Sequence, residues 1–191
     1  DLLDTVATGE TRIGVGFAEG VGARLDAGVT FKEGRLDGKS LFVLDANADH
    51  YLVANNQKHL YLVDVNSEGV TRNVLTTVDN TRSTCELIYN NAAAELVSED
   101  ENVFTKALDA GLVALSADTL GAAQSTLDQA VVYAGQREQF NRVIASFQAV
   151  KHMCAEMVAS LEPCRSMVWY AAHALDERPE EASMMASHTK A

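Results

Sequence analysis

The chain has 191 residues, 47% of them hydrophobic, with 27 acidic residues against 15 basic ones and a formal net charge of −12. That composition supports a buried core and excludes a disordered tail. The acidic balance excludes a non-specific nucleic-acid binder, which needs a basic face, and attachment to an anionic membrane. No apolar run is long enough to span a bilayer, so no membrane insertion is expected. No signal peptide is evident, although the chain opens abruptly enough for an upstream segment to precede it. Cys85, Cys154 and Cys164 are odd in number and not closely paired, which argues against a disulfide framework. Cys154 and Cys164 lie in apolar helical sequence and are expected to be small buried hydrophobes in a reducing, cytoplasmic compartment.

The length allows one large domain or two modest ones. Up to about Val97 the chain consists of short runs broken by Gly, Asn and Asp. Thr11–Phe17, Ala27–Phe31, Lys39–Leu44, Tyr51–Ala54, His59–Val65, Arg72–Thr77 and Cys85–Tyr89 are β-branched or aromatic and predict strands. Glu33-Gly34, Asp37-Gly38, Asn55-Asn56 and Ser67-Glu68-Gly69 supply turn signals between them. Strands at this spacing predict a β-barrel or sandwich over residues 1–97. No helix alternates with them, which argues against a parallel doubly wound sheet.

Residues 98–191 are rich in Ala, Leu, Met and Gln and predict an antiparallel helical-bundle segment, making the whole α+β. Ser98 followed by Glu101 reads as a capping box. Phe104, Leu108, Leu112, Leu115, Leu120, Leu127 and Val131 then recur near helical spacing. Charges are sparse from Gly111 to Ala134, so this helix is expected to lie inside a bundle. A second helix is predicted from Phe147 to Leu175, kinked at Pro163, and a third from Pro179. A bundle needs more helices than these, so the chain reads as incomplete.

Gly14-x-Gly16 with Gly20-x-Gly22 has the wrong spacing for a dinucleotide fingerprint, and strand-like sequence follows it. These glycines instead mark close approach of backbone to a ligand or to another strand. His152 and Glu156 stand one helical turn apart, but no partner Glu-x-x-His repeat exists for a di-iron site. They are expected to be a hydrogen-bonded surface pair, and no metal is expected. His50, His59, His173 and His188 show no ligand spacing, and no Ser-His-Asp or Cys-His set emerges. Arg137 and Arg142 stand among buried-looking apolar residues in a tight loop between two helices. An arginine there can fork two donors onto a phosphate, or it can cap helix carbonyls.

Tyr133-x-x-x-Arg137-x-Gln139-Phe140, then Phe147-Gln148, resembles the helical signature of the acyl-CoA dehydrogenases. Leu36-Asp-Gly-Lys39, Phe42-Val43, Ala48-Asp49, Tyr61-Leu-Val-Asp64, Gly69-Val70, Asp79-x-Thr81-Arg82 and Leu87-x-Tyr89 resemble that family's middle β-domain, in the expected order. The resemblance spans essentially the whole chain. It implies FAD bound between a β-domain and a helical bundle and reaching the neighbouring subunit. Arg137 would meet the pyrophosphate, with Gln139 and Phe140 alongside and Phe147 and Gln148 on the next helix. Flavin contacts would come from Phe17-Ala18-Glu19-Gly20 and from Phe42, Val43 and Leu44. The implied reaction is removal of the α-proton of an acyl-CoA by a glutamate as the β-hydrogen leaves as hydride, with an electron-transfer flavoprotein as oxidant. A dimer or tetramer, homo- or hetero-oligomeric, is implied.

The sequence also departs from that pattern. Asn141 replaces a glycine, Ala18 a threonine, and Phe42-Val43-Leu44 offers no hydroxyl. Near Asp109, the position implied to face the substrate, no CoA-binding arginine stands; Gly111 and Leu112 occupy the early helix where some members carry the base. The catalytic residue is therefore unassigned. Two other readings remain: a non-catalytic subunit completing the FAD site of an active partner, and a flavin-free interaction module on the same fold.

Overall fold

The computed structural model describes residues 2–18, 27–79 and 81–191. The chain divides into two compact units, Asp1–Phe104 and Thr105–Ala191. The α+β class expected from the sequence is observed.

The first unit opens with a short helix, α1 (Leu2–Thr8), that the strand-rich pattern did not predict. The strands follow as β1 (Ile13–Gly16), β2 (Gly28–Lys32), β3 (Arg35–Leu44), β4 (His50–Ala54), β5 (Leu60–Asp64), β6 (Val70–Leu75), β7 (Thr84–Ala93) and β8 (Glu95–Ser98). They form one sheet in the order β6-β7-β3-β1-β4-β5-β8, with β2 also paired to β3. Every pairing is antiparallel except β1 with β4. Alternation along the inner strands builds the core. Cys85, Leu87 and Tyr89 of β7 point inward, while Ile88 between the last two is exposed. Tyr51 faces Val63 and Val53 faces Tyr61 across β4–β5, and all four are buried. Removing a large side chain such as Leu87 from such a core costs about 2–5 kcal/mol.

Turn chemistry explains both a success and a failure of the sequence reading. Glu33-Gly34 joins β2 to β3 as a two-residue turn with both φ angles positive, 52° and 78°. The strand twist favours that turn type. Asp37-Gly38 is no turn; it lies inside β3 at a bulge. Gly38 has φ 120°, and a Cβ there would sit 2.1 Å from the Gly28 carbonyl oxygen. The Asp37 carboxylate accepts the Asn91 N–H instead of closing a hairpin.

The second unit is helical. The long helix α2 (Glu101–Gln136) begins in the first unit and continues into the second. Its cap is not Ser98 as expected: Asp100 accepts the Asn102 N–H, while Ser98 accepts that of Asp100. A two-residue hairpin, β9 (Glu138–Gln139) and β10 (Arg142–Val143), and a 3₁₀ turn, Ile144–Ser146, lead into α3 (Gln148–Glu177). Helix α3 continues through Pro163, and α4 (Pro179–Lys190) starts with Pro at its first position. Small side chains draw the helices together: Ala171 and Ala186 are buried with Val113, and Leu112, Leu175 and Met185 pack around them. Helix α2 was expected to be interior. Here Leu115, Val131, Val132 and Tyr133 are 40–58% exposed, because α3 and α4 cover only part of its circumference. Cys164 is exposed and Cys154 half-buried, against the expectation that both would be buried; Cys85, in the first unit, is buried.

Candidate functional site

The predicted site residues fall into one group on each unit. In the first unit, β1 and β3 pair with Val15 opposite Leu44. Gly16 lies against Val43. Phe17 and Ala18 follow Gly16 in the chain, and Phe42 and Leu44 flank Val43 on β3. Glu19 and Gly20, and with them Gly22, lie outside the described residues. Phe42 sits at an irregularity in the β3–β7 register, with φ 52°, a conformation that is an outlier for a bulky side chain. The bulge sends Phe42 outward and keeps both Leu41 and Val43 inward. Phe42 and Leu44 are about half exposed, whereas the Val43 side chain is fully buried in the core, so only its backbone is offered to a ligand. The Phe17 ring packs on Phe104 at 5.1 Å between centroids, which ties the strand end to the first turns of α2.

Gly14 and Gly16 mark close approach to other strands. A Cβ on Gly14 would lie 2.5 Å from the Leu44 carbonyl oxygen and 2.6 Å from the Tyr51 ring. One on Gly16 would press on Val43 and Val53 at 3.1 Å. Beneath Gly14, Tyr51 donates its hydroxyl to the Asp45 carbonyl at 3.1 Å. Arg72 Nη1 donates to that hydroxyl at 3.1 Å and to the Ala48 carbonyl at 3.0 Å, and the Cys85 thiol approaches it at 3.9 Å. Burial pushes the Tyr51 phenol above its usual range, with the Arg72 hydrogen bond pulling the other way. Burial also pushes the Cys85 thiol up, so it stays protonated and is no nucleophile.

In the second unit, the loop expected to be buried is an exposed hairpin. Phe140 and Asn141 form its turn, with φ 54° and 60°. Asn141, in place of the glycine of the resemblance, adopts the left-handed conformation that Asn tolerates best among non-glycine residues. Phe140 is 86% exposed and meets Phe147 edge-on, with centroids 6.1 Å apart. Arg142, expected with Arg137 as a possible phosphate fork, instead lies over the Phe147 ring at 4.0 Å. Its cation–π contact could be foreseen only once the hairpin register was known.

Arg137 stands at the mouth of this hairpin. Its N–H closes α2 on the Tyr133 carbonyl at 2.8 Å, and its carbonyl accepts the Ile144 N–H at 2.8 Å. Its guanidinium makes no hydrogen bond or ion pair among the described residues, so it caps no carbonyl. Gln139 reaches only the Glu138 carbonyl, and Gln148 occupies the first turn of α3. That helix begins with no side-chain cap from Phe147, leaving its first N–H groups directed out of the helix end. Arg137, Gln139, Phe140, Phe147 and Gln148 are therefore local neighbours around one cationic, aromatic hairpin.

Asp109 is 5% exposed and accepts a short hydrogen bond from the Ser183 hydroxyl, which pins α4 to α2. No hydrogen bond joins His152 to Glu156, against expectation; both side chains are exposed to water. Among the described residues no cluster of His, Cys, Asp or Glu could hold a metal, and no helix is long and apolar enough to cross a membrane.

Residues 102–191 match the protein family described as acyl-CoA dehydrogenase, C-terminal domain. The chain is 29% identical over 151 residues to the caffeyl-CoA reductase-Etf complex subunit CarC of Acetobacterium woodii, covering 77% of this chain and 37% of that protein. It is 31% identical over 141 residues to an acyl-CoA dehydrogenase of Bacillus subtilis, covering 71% of this chain and 33% of that protein. Its fold is similar, with a TM-score of 0.84 and 26% identity, to a solved chain in work on the electron transferring flavoprotein of Acidaminococcus fermentans. That likeness covers 98% of this chain and 56% of the solved one. The chain thus spans about a third of the two curated relatives and about half of the solved chain.

Proposed function

The chain belongs to the acyl-CoA dehydrogenase family, and on that premise we propose that it forms part of an FAD-dependent acyl-CoA dehydrogenase. One observation carries the reading: the Arg137 guanidinium is unpartnered among the described residues, on a hairpin that also presents Gln139, Phe140, Phe147 and Gln148. A planar fork of donors beside an uncapped helix start suits a pyrophosphate. The first unit, taken by itself, carries a second surface suited to part of an FAD. Phe42 and Leu44 offer exposed apolar surface beside Phe17 and Ala18, and Val43 offers backbone groups, which suits the face of a flavin. When bound, FAD supplies the hydride acceptor. The residues of this chain bind and orient it; the base that takes the α-proton is not assigned to any of them. Asp109 is retained as a substrate-side residue, able to reach a ligand only by giving up Ser183.

Flavin absorbance of the complete purified protein tests the proposal. A charge-assisted contact contributes about 1.5–3 kcal/mol, so Arg137→Ala should weaken FAD binding roughly tenfold to a hundredfold. Arg137→Lys should recover only part of that, because a point charge cannot reproduce the fork. Equal retention in wild type and Arg137→Ala would overturn the assignment.

A second reading is a non-catalytic subunit of a hetero-oligomer. The absence of a hydroxyl at Ala18, Val43 and Leu44, and Leu112 in the early turns of α2, favour it. The two separate on bleaching of the retained flavin by acyl-CoA thioesters, which the active enzyme shows and a supporting subunit does not. A wild type without flavin would favour an interaction module. With the first reading go an electron-transfer flavoprotein as oxidant, a dimer or tetramer, and a cytoplasmic location.

A further inference from the structure

Tyr51 is buried on the inner face of β4, and its hydroxyl joins the turn that follows β3 to Arg72 of β6 and Cys85 of β7. Its hydroxyl is saturated: it donates to the Asp45 carbonyl and accepts from Arg72 and from the Cys85 thiol. Arg72 reaches past it to the Ala48 carbonyl, so the clamp holds both ends of the turn Asp45–Ala48. Ser83 holds the outer side, its carbonyl accepting the Asp45 N–H and its hydroxyl the Ala46 N–H, each at 3.0 Å. Asp45 itself has φ 61°, a left-handed conformation that costs a non-glycine residue energy and must be held by its surroundings. The ring of Tyr51 is placed as closely as the hydroxyl. Only the missing side chain of Gly14 lets β1 lie against both that ring and the Leu44 carbonyl. Tyr51 therefore touches the chain on both sides of Leu44: at Asp45 by hydrogen bond, and at Gly14, which in turn contacts Leu44.

We infer that Tyr51, braced by Arg72, is a positioning residue that sets the exposed end of β3 and so fixes how Phe42 and Leu44 are presented to the flavin. The inference rests on the FAD reading above. It adds to it a buried support that contacts no ligand. The inner polar network and the outer apolar surface meet at the same strand end, where Asp45 directly follows Leu44 and stands three residues after Phe42. A shift of the turn is transmitted directly along β3, because the bulge at Phe42 leaves that residue with an irregular register to β7.

Two measurements on the complete protein test this, one of them independent of flavin. Tyr51→Phe keeps the ring and removes the hydroxyl, leaving the Asp45 carbonyl with the Ala48 N–H alone and Arg72 Nη1 with the Ala48 carbonyl alone. Loss of one such bond predicts amide hydrogen exchange about threefold to tenfold faster at Asp45, Ala46 and Ala48. Exchange in β5, which shares none of these bonds, should stay unchanged. In the same variant the long-wavelength absorbance band of bound FAD should lose its resolved shoulders, and FAD retention should fall by a similar factor. Arg72→Met should reproduce both effects, and Arg72→Lys should restore part of each. A merely structural role would lower the unfolding midpoint and leave the spectrum of the bound flavin as in wild type, which would overturn the inference while the FAD reading stands. Unchanged exchange at the turn would also overturn it. Faster exchange at the turn in a wild-type background that retains no flavin would overturn the FAD reading and the presentation of Phe42 and Leu44 with it.

Discussion

At the scale of single residues, the hairpin between α2 and α3 concentrates strain where the cofactor contact is proposed. Phe140 and Asn141 both have positive φ, and each non-glycine residue in that region costs on the order of 1–2 kcal/mol. Asn meets part of that cost through its own chemistry; Phe has no such compensation. Phe140 is also 86% exposed, so little burial offsets the strain. A side chain retained under those terms points to a role outside the fold of this unit. Phe140→Gly should relieve the backbone while adding chain entropy, leaving stability within about 1 kcal/mol of wild type. FAD retention should nevertheless fall. Denaturant midpoint and flavin absorbance on one preparation check the pair. A large loss of stability with unchanged retention would mean that Phe140 serves its own hairpin through Phe147.

At the scale of elements, Pro163 makes an independent test of the second unit. Proline in a helix interior removes one hydrogen bond and costs about 3 kcal/mol. Helix α3 nevertheless continues through it. Pro163→Ala should stabilise the helical unit by roughly 1–3 kcal/mol. Trp169 is the single tryptophan and lies in α3, so its fluorescence during unfolding reports on that unit. The helices were legible because apolar spacing, the two prolines and the Gln148 start all lie within one segment. The strands Leu60–Asp64 and Thr84–Ala93 were legible in the same way, from alternation. β8 was missed because Glu95-Leu-Val-Ser98 is too short to show a period and its side chains stay largely exposed. Asp37-Gly38 misled because a bulge and a turn need the same backbone freedom, and only pairing with β2 and β7 separates them. In the candidate site, local signals pointed to Arg137 and its neighbours, which the structure places around one hairpin. The clamp of Tyr51, Arg72 and Cys85 joins three strands far apart in sequence, and nothing in the local pattern announces it.

At the scale of the whole molecule, titration and association follow from what each unit buries or exposes. The first unit buries Cys85 and Tyr51 in their protonated forms, and both are raised from ordinary values of 9.0 and 10.0. The unfolded chain releases those protons first as pH rises, so it binds fewer protons than the folded one. Stability is then full below about pH 9 and falls as pH climbs through the folded values. Urea midpoints of the first unit from neutral pH upward should show that decline, and Cys85→Ala should remove the earlier part of it. Midpoints rising above pH 9 would contradict the sign. The second unit leaves Val131, Val132, Tyr133, Met153, Met157 and Trp169 at 41–73% exposure on α2 and α3. A groove of about 610 Å3 lined by Ala123, Leu127, Met153, Met157 and Leu161 opens between the same two helices. Single exposed apolar residues are ordinary; six large ones on two adjacent helices beside an apolar groove form a face that another helix or another copy would cover. The proposed dimer or tetramer would take up such surface. The complete protein should therefore sediment above its monomer mass at micromolar concentration, and Val132→Lys together with Met153→Lys should shift it toward monomer. A wild type that sediments as a monomer across that range would rule out self-association as what covers these faces.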